Sequence, residues 1–322
     1  MVQWQRQFVF PYHDTPEKRS KKKEMKSSVG LVPSGDFLLL EHIRFFGGIV
    51  WENRVEGVDF LEKAKQILVL QKDLRWKAAA QALEQAGWTV VGPLHAAEAS
   101  VWALPLPLRA NEPGLAEGLQ QAKPGTLVLG GSIAPEVYRL PRAEGVELVD
   151  YYGPELAEKN AVPTAEGCIA LLMAHSPRTL WNQRILITGF GSVARALAVR
   201  LTALGAEVVV AARDPAQRAL AAGRGCRTVP LDAMDLPLNC SIVVNTVPAM
   251  LLGAKQLAML PPHSLVVDLA SKPGGTDFAA AKQMGHTTIY ALGLPGQCAP
   301  ETAGTFLSEA ILQVLQRRSD QF

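Results

Sequence analysis

The sequence predicts an α/β protein of two lobes facing each other across a cleft. Three observations lead there. Short apolar runs alternate with amphipathic stretches from Ile67 onward, the alternation restarts near Trp181, and a glycine turn from Gly189 to Ala194 joins a strand to a helix in the second half. Strands alternating with helices imply parallel sheets with helices on their faces. A chain of 322 residues has the length for two domains, and 48% hydrophobic residues can fill two cores.

Residues 1–57 follow neither period and cluster charge in KRSKKKEMK, Lys18 to Lys26, so they read as an irregular N-terminal extension. On this reading the working protein starts near Val58. The first lobe covers 58–152. ILVL is a strand, and RWKAAAQALEQAG is an amphipathic helix closed by Gly87. WTVVG, ASVWALPLP, TLVLGGSI and VELVDYY read as further strands. After ILVL come Gln71, Lys72 and Asp73 with no glycine, so this lobe is Rossmann-like or flavodoxin-like but lacks a phosphate turn and should not bind a dinucleotide. A linker, 153–180, carries a helix read from Asn160 to Ser176, with Pro163 and Thr164 at its start and Glu166 in its first turn. The second domain, 181–296, has the strands RILITG, EVVVAAR, SIVVNTVP, SLVVDLAS and TTIYALGLPG. A last helix, within 297–322, is expected to pack back on the first lobe.

RILITGFGSVARALAVRLTALGAEVVVAARD carries the strongest signal. Gly189, Phe190, Gly191, Ser192, Val193 and Ala194 have the GxGxxA form, after an apolar strand, at the head of a helix, with a second strand at the βαβ distance. Gly189 serves the tight turn, Gly191 lets a pyrophosphate reach the backbone, and Ala194 lets helix and strand approach. The helix N-terminus offers free N–H donors. The second strand ends Ala211-Ala212-Arg213 rather than in an acid, and Asp214-Pro215 reads as N-cap and first helical residue. Arg213 suits a 2′-phosphate, so NADP is expected in preference to NAD. Asn245, Thr246 and Pro248 end one further strand, and Ala270 and Ser271 another, where a nicotinamide would lie.

The formal net charge of +2 gives no argument for a nucleic-acid partner. Cys168, Cys226, Cys240 and Cys298 form no CxxC pair and no metal spacing with the histidines, so no metal is expected and a reducing cytoplasm is. No apolar run reaches the length of a membrane span, and the N-terminus lacks a signal-peptide core.

NAVPTAEG, GFGSVA with AAR, VVNTVPAM, DLASKPGGTDF and GLPGQCAPETAG together resemble the A subunits of dipicolinate synthase, from about Tyr151 to the C-terminus. The resemblance implies oxidation of dihydrodipicolinate to dipicolinate with NAD(P)+, alongside a flavoprotein-like B subunit, in the cytoplasm of the mother cell of a sporulating bacterium. A homo-oligomer is compatible with it. A flat dicarboxylate needs fixed cations and backbone donors. Lys272 is the expected carboxylate anchor and Glu166 the expected base, with the roles exchangeable. Gly131 and Ser132 at a first-lobe strand end, Thr164, Gly274, Gly275 and Asp277, and Thr302 at the head of the last helix complete the expected substrate set. Two rivals stand beside this reading. One is a shikimate-dehydrogenase-like or methylenetetrahydrofolate-dehydrogenase-like reductase, which should carry a catalytic first-lobe lysine. The other is a non-catalytic NADPH sensor.

Overall fold

The computed structural model describes residues 65–70, 72–235 and 239–320. The proposed extension, 1–57, lies outside them. The first lobe runs β1 (Gln66–Val69), α1 (Leu74–Gln85), β2 (Thr89–Val91), β3 (Val101–Ala103), α2 (Leu115–Gln121), β4 (Leu127–Gly130) and β5 (Glu147–Asp150). The long helix α3 (Pro154–His175) leads into β6 (Arg184–Thr188), α4 (Ser192–Ala203), β7 (Glu207–Ala212), α5 (Pro215–Ala222) and β8 (Arg227–Pro230). Then come β9 (Ile242–Asn245), α6 (Ala254–Ala258), β10 (Leu265–Asp268), α7 (Phe278–Gln283), β11 (Thr287–Tyr290), α8 (Leu294–Cys298) and α9 (Pro300–Ser319).

Both sheets are parallel throughout. The first has the order β2-β1-β3-β4-β5, the flavodoxin-like order. The second has β8-β7-β6-β9-β10-β11, the doubly wound Rossmann order. The α/β class with a C-terminal Rossmann lobe is therefore the observed one.

The strands are apolar on both faces because each sheet is covered on both sides. Successive side chains point to opposite faces. Ile67 and Val69 join the cluster beneath α1, with Trp76 and Leu83, while Leu68 joins the opposite one with Leu108 and Leu119. In the second sheet Ile185 and Ile187 pack with Leu197 and Leu201 of α4, and Leu186 packs with Val243 and Leu257. Each such fully buried aliphatic side chain contributes about 1.5–3 kcal/mol.

Two helices join the lobes. α9 packs on α1, placing Leu307, Ala310 and Ile311 in the cluster of Trp76 and Leu83. The approach is close: a Cβ on Gly304 would lie 2.5 Å from Ala78 Cβ. α3 packs on α4 and α8. It starts six residues before the Asn160 read from sequence, with Pro154 at its first position behind an extended Gly153. Proline suits that position because its missing N–H would be unsatisfied there anyway. Pro163 therefore lies inside the helix, buried, and Glu166 in its middle rather than its first turn. Among the described residues no helix is long and apolar enough to cross a membrane, and no group of His, Cys, Asp or Glu could hold a metal ion.

Candidate functional site

A crevice of about 400 Å³ opens at the carboxyl edge of the second sheet. The turn Gly189–Ala194 forms one wall, and Tyr152, Ala157, Asn160 and Ala161 form another. Gln217 and the stretch Thr246, Val247 and Pro248 complete it. The crevice brings together seven of the residues expected to hold a cofactor: Gly189, Phe190, Gly191, Ser192, Val193, Thr246 and Pro248. Gly189 has φ +78°, which an L side chain rarely adopts, and a Cβ there would lie 2.7 Å from Val247 Cγ2. At Gly191, the N-cap of α4, a Cβ would meet nothing within 4 Å, so the backbone faces open space. An open helix N-terminus in a crevice of this size fits a dinucleotide pyrophosphate. Phe190 contributes main chain only, because its side chain is fully buried with Arg224 over the ring.

Beneath the crevice runs a buried polar row that sequence reasoning missed. Thr188, Asn245 and Asp268 end three neighbouring strands and lie in register with one another. All three are fully buried. Asn245 accepts from Thr188 Oγ1 (2.5 Å) and Val247 N (3.2 Å), and donates to Val247 O (3.0 Å) and Asp268 Oδ1 (2.8 Å). Its side-chain amide, expected to face a cofactor, is thus fully engaged within the fold at the end of β9. Thr246 donates its hydroxyl proton to Thr188 O at 2.6 Å. Asp268 also accepts from Ala270 N (3.0 Å) and Gly275 N (2.8 Å). The signal for Asp268 was an acid ending an apolar strand, which a buried sheet tolerates only with partners.

That row explains the loop after β10. Gly274 has φ +84° and donates to Ser271 O, while Gly275 donates to Asp268. A Cβ on Gly275 would sit 2.5 Å from both Ala249 O and Asn245 Nδ2. Gly274 and Gly275, expected to bend the main chain close to a substrate, have both amides engaged internally and let the loop fold onto the end of β9. Asp277, expected in the substrate set, caps α7 by accepting from Ala280 N at 2.9 Å. Ala270 is buried, whereas Ser271 and Lys272 are exposed. Lys272 makes no hydrogen bond or ion pair among the described residues and precedes a cis Pro273. The Tyr290 hydroxyl beside this loop is pushed up by burial and then by the Asp268 charge.

At the carboxyl edge of the first sheet, an internal carboxylate occupies the expected anion donors. Ser132 N (2.9 Å), Ile133 N (2.8 Å) and Tyr152 N (2.8 Å) all donate to Asp150. Gly131 donates to Pro105 O, and a Cβ there would strike the Tyr151 ring at 2.7 Å. Gly131 and Ser132, expected as ligand donors, lie in a turn closed by Asp150. Arg109 reaches that turn, where its Nη1 donates to Leu108 O (3.0 Å) and Ser132 O (2.8 Å).

The other predicted residues are dispersed. Glu166, the expected base, is exposed and pairs with Arg200 of α4 at 3.3 Å. Thr164 donates within its helix to Asn160 O at 2.7 Å. Thr302 is exposed in the first turn of α9. Arg213 is exposed at the end of β7, and Asp214 caps α5 by accepting from Ala216 N at 2.8 Å. Arg218, unremarked in the sequence, donates to Ala212 O (2.8 Å) and Arg213 O (2.7 Å) and so holds that strand end. Burial pushes the Cys168 thiol up to about 12 and Cys240 up to about 11, which disfavours the reactive thiolate in both.

Residues 166–273 match the family described as D-isomer specific 2-hydroxyacid dehydrogenase, NAD binding domain. The A subunit of dipicolinate synthase from Bacillus subtilis (strain 168) is 37% identical over 164 residues, 50% of this chain and 54% of that protein. The chain thus spans about half the length of that curated relative. The crystal structure of the same subunit from Bacillus halodurans superposes with a TM-score of 0.70 at 25% identity, covering 78% of this chain and 98% of the other. The corresponding crystal structure from Bacillus subtilis gives 0.69 at 25%, covering 80% and 97%. The resemblance read from the motifs is borne out in sequence and in fold, and the second lobe is of the NAD-binding kind found in NAD(P)-dependent oxidoreductases.

Proposed function

We propose that this chain is a dehydrogenase that oxidises dihydrodipicolinate to dipicolinate with NADP+ as the preferred acceptor. The observation that carries the reading is the open helix N-terminus at Gly191, set at the head of a crevice and joined to a sequence resembling the A subunit of dipicolinate synthase. Gly191, Ser192 and Val193 would hold the pyrophosphate, and Thr246, Val247 and Pro248 the wall beside the nicotinamide. Arg213 would take the 2′-phosphate, since Asp214 is engaged as a helix cap and leaves no free acid at that strand end for a ribose hydroxyl. Bound NADP+ supplies the hydride acceptor.

The substrate loses one hydride and one proton and becomes aromatic, giving NADPH, a proton and dipicolinate. Aromatisation supplies driving force, so the residues mainly position the ring. Lys272, a cation unpaired among the described residues on a loop held by Asp268, would anchor a carboxylate. Glu166, paired with Arg200 at the surface, would be the base that takes the proton. The resemblance to an A subunit supports a second, B-type partner and the mother-cell cytoplasm as location.

The test is NADPH formation followed by absorbance, with purified chain and dihydrodipicolinate, alone and with the B-type partner. Turnover supports the reading. Bound nucleotide without turnover in either mixture overturns the enzymatic reading and favours a sensor.

A further inference from the structure

A carboxylate stands where the crevice calls for an anion. Glu158 lies in α3, flanked by Ala157, Asn160 and Ala161 of the crevice wall. Its Oε1 accepts from Ser192 Oγ at 2.7 Å and pairs with Arg195 Nη2. Ser192 is the first residue of α4, and Arg195 lies one turn on. Arg195 is turned back toward the glycine turn, donating to Phe190 O at 3.3 Å and approaching Ser192 Oγ at 3.4 Å. The hydroxyl bond from Ser192, with the Arg195 and Arg224 charges, holds the Glu158 carboxyl below the usual carboxylate range. One hydroxyl, one guanidinium and a helix N-terminus form an anion cradle, and here the anion belongs to the protein.

We propose that Glu158 stands in for the pyrophosphate at the head of α4 and is displaced when a dinucleotide binds. This rests on the dinucleotide reading of the crevice and goes beyond it. A pyrophosphate bound at Gly191 and Ser192 needs the same hydroxyl and brings negative charge beside the same arginine. Glu158 must give up Ser192 and Arg195, or remain and repel. Either way the carboxylate lowers nucleotide affinity. It also links nucleotide binding to α3, because the contact spans 34 residues between α3 and α4. Glu158 is thus a positioning residue that sets how tightly, and with what rearrangement of α3, the nucleotide is held.

The experiment uses the full chain and titrates NADPH by its own fluorescence, with ADP-ribose and adenosine as competing probes. Glu158→Gln keeps the shape and removes the charge. It should tighten NADPH and ADP-ribose by about fivefold, the order of an exposed charge at a helix terminus. Adenosine, which lacks the pyrophosphate, should be unaffected. A general loosening of structure would not separate these probes. Arg195→Met should weaken NADPH and ADP-ribose and leave adenosine alone. If Glu158→Gln binds NADPH no better than the unaltered chain, or worse, the carboxylate serves only to hold Arg195 and the inference is overturned. If the unaltered chain binds neither NADPH nor ADP-ribose, the dinucleotide reading itself falls, and this inference with it.

Discussion

Gly191→Ala separates stability from nucleotide binding. Gly191 has φ −75° and ψ −170°, extended backbone that any residue adopts. An added Cβ meets nothing within 4 Å, so the folded chain can accept it. Alanine is a poorer N-cap than glycine, and an exposed change of this kind moves stability by about 0.5 kcal/mol or less. On the proposed placement, the same methyl group occupies the space a pyrophosphate oxygen would enter. A charge-assisted hydrogen bond needs a heavy-atom distance of about 2.7–2.9 Å, and a methyl carbon beside the donor forces the oxygen out by roughly 1 Å. Loss of one such bond costs about 1.5–3 kcal/mol, or roughly 10- to 100-fold in Kd. The assay pairs a thermal melt with NADPH fluorescence titration. Unchanged Tm with binding weakened at least tenfold is expected. Gly275→Ala is the contrast, since its Cβ would sit 2.5 Å from Ala249 O and Asn245 Nδ2. It should lower stability by about 1–3 kcal/mol through overpacking. NADPH affinity unaltered in Gly191→Ala would refute the placement of the pyrophosphate.

Three further outcomes follow from the same geometry. Asp268→Ala strands the buried donors of Asn245, Ala270 and Gly275, each worth about 1–3 kcal/mol and not additive. A loss of about 3 kcal/mol is expected in urea unfolding, and a loss under about 1 kcal/mol would show that the row does not tie the strands. Arg213→Ala should raise the KM for NADP+ about tenfold or more with little effect on NAD+, and an unaltered preference removes the 2′-phosphate argument. Lys272→Met should raise the substrate KM sharply while NADPH titrates normally. An equal loss of both would place the lysine elsewhere.

Much of the fold was legible because its signals are local. The βαβ alternation, the GxGxxA turn and the Asp214-Pro215 cap each lie within a few residues, and the structure has all three. The start of α3 lies in the sequence too: Pro154 behind Gly153 opens the helix, six residues before the expected start, and Pro163 is carried inside. A proline costs least at the first helical position, so the earlier one had the better claim. The site was legible only where one turn builds it.

The sequence by itself determined the two parallel sheets, the glycine turn and the resemblance those motifs carry, because periodicity, glycine geometry and capping act over short separations. Tertiary structure alone decided which polar groups remain free to meet a ligand. Asp150 fills the first-lobe donors from 17 and 18 residues away, Asp268 gathers Asn245 across 23, and Glu158 reaches Ser192 across 34. A buried or clefted donor is satisfied by whichever acceptor the fold brings within about 3 Å, and that distance is written in packing rather than in any single stretch of chain.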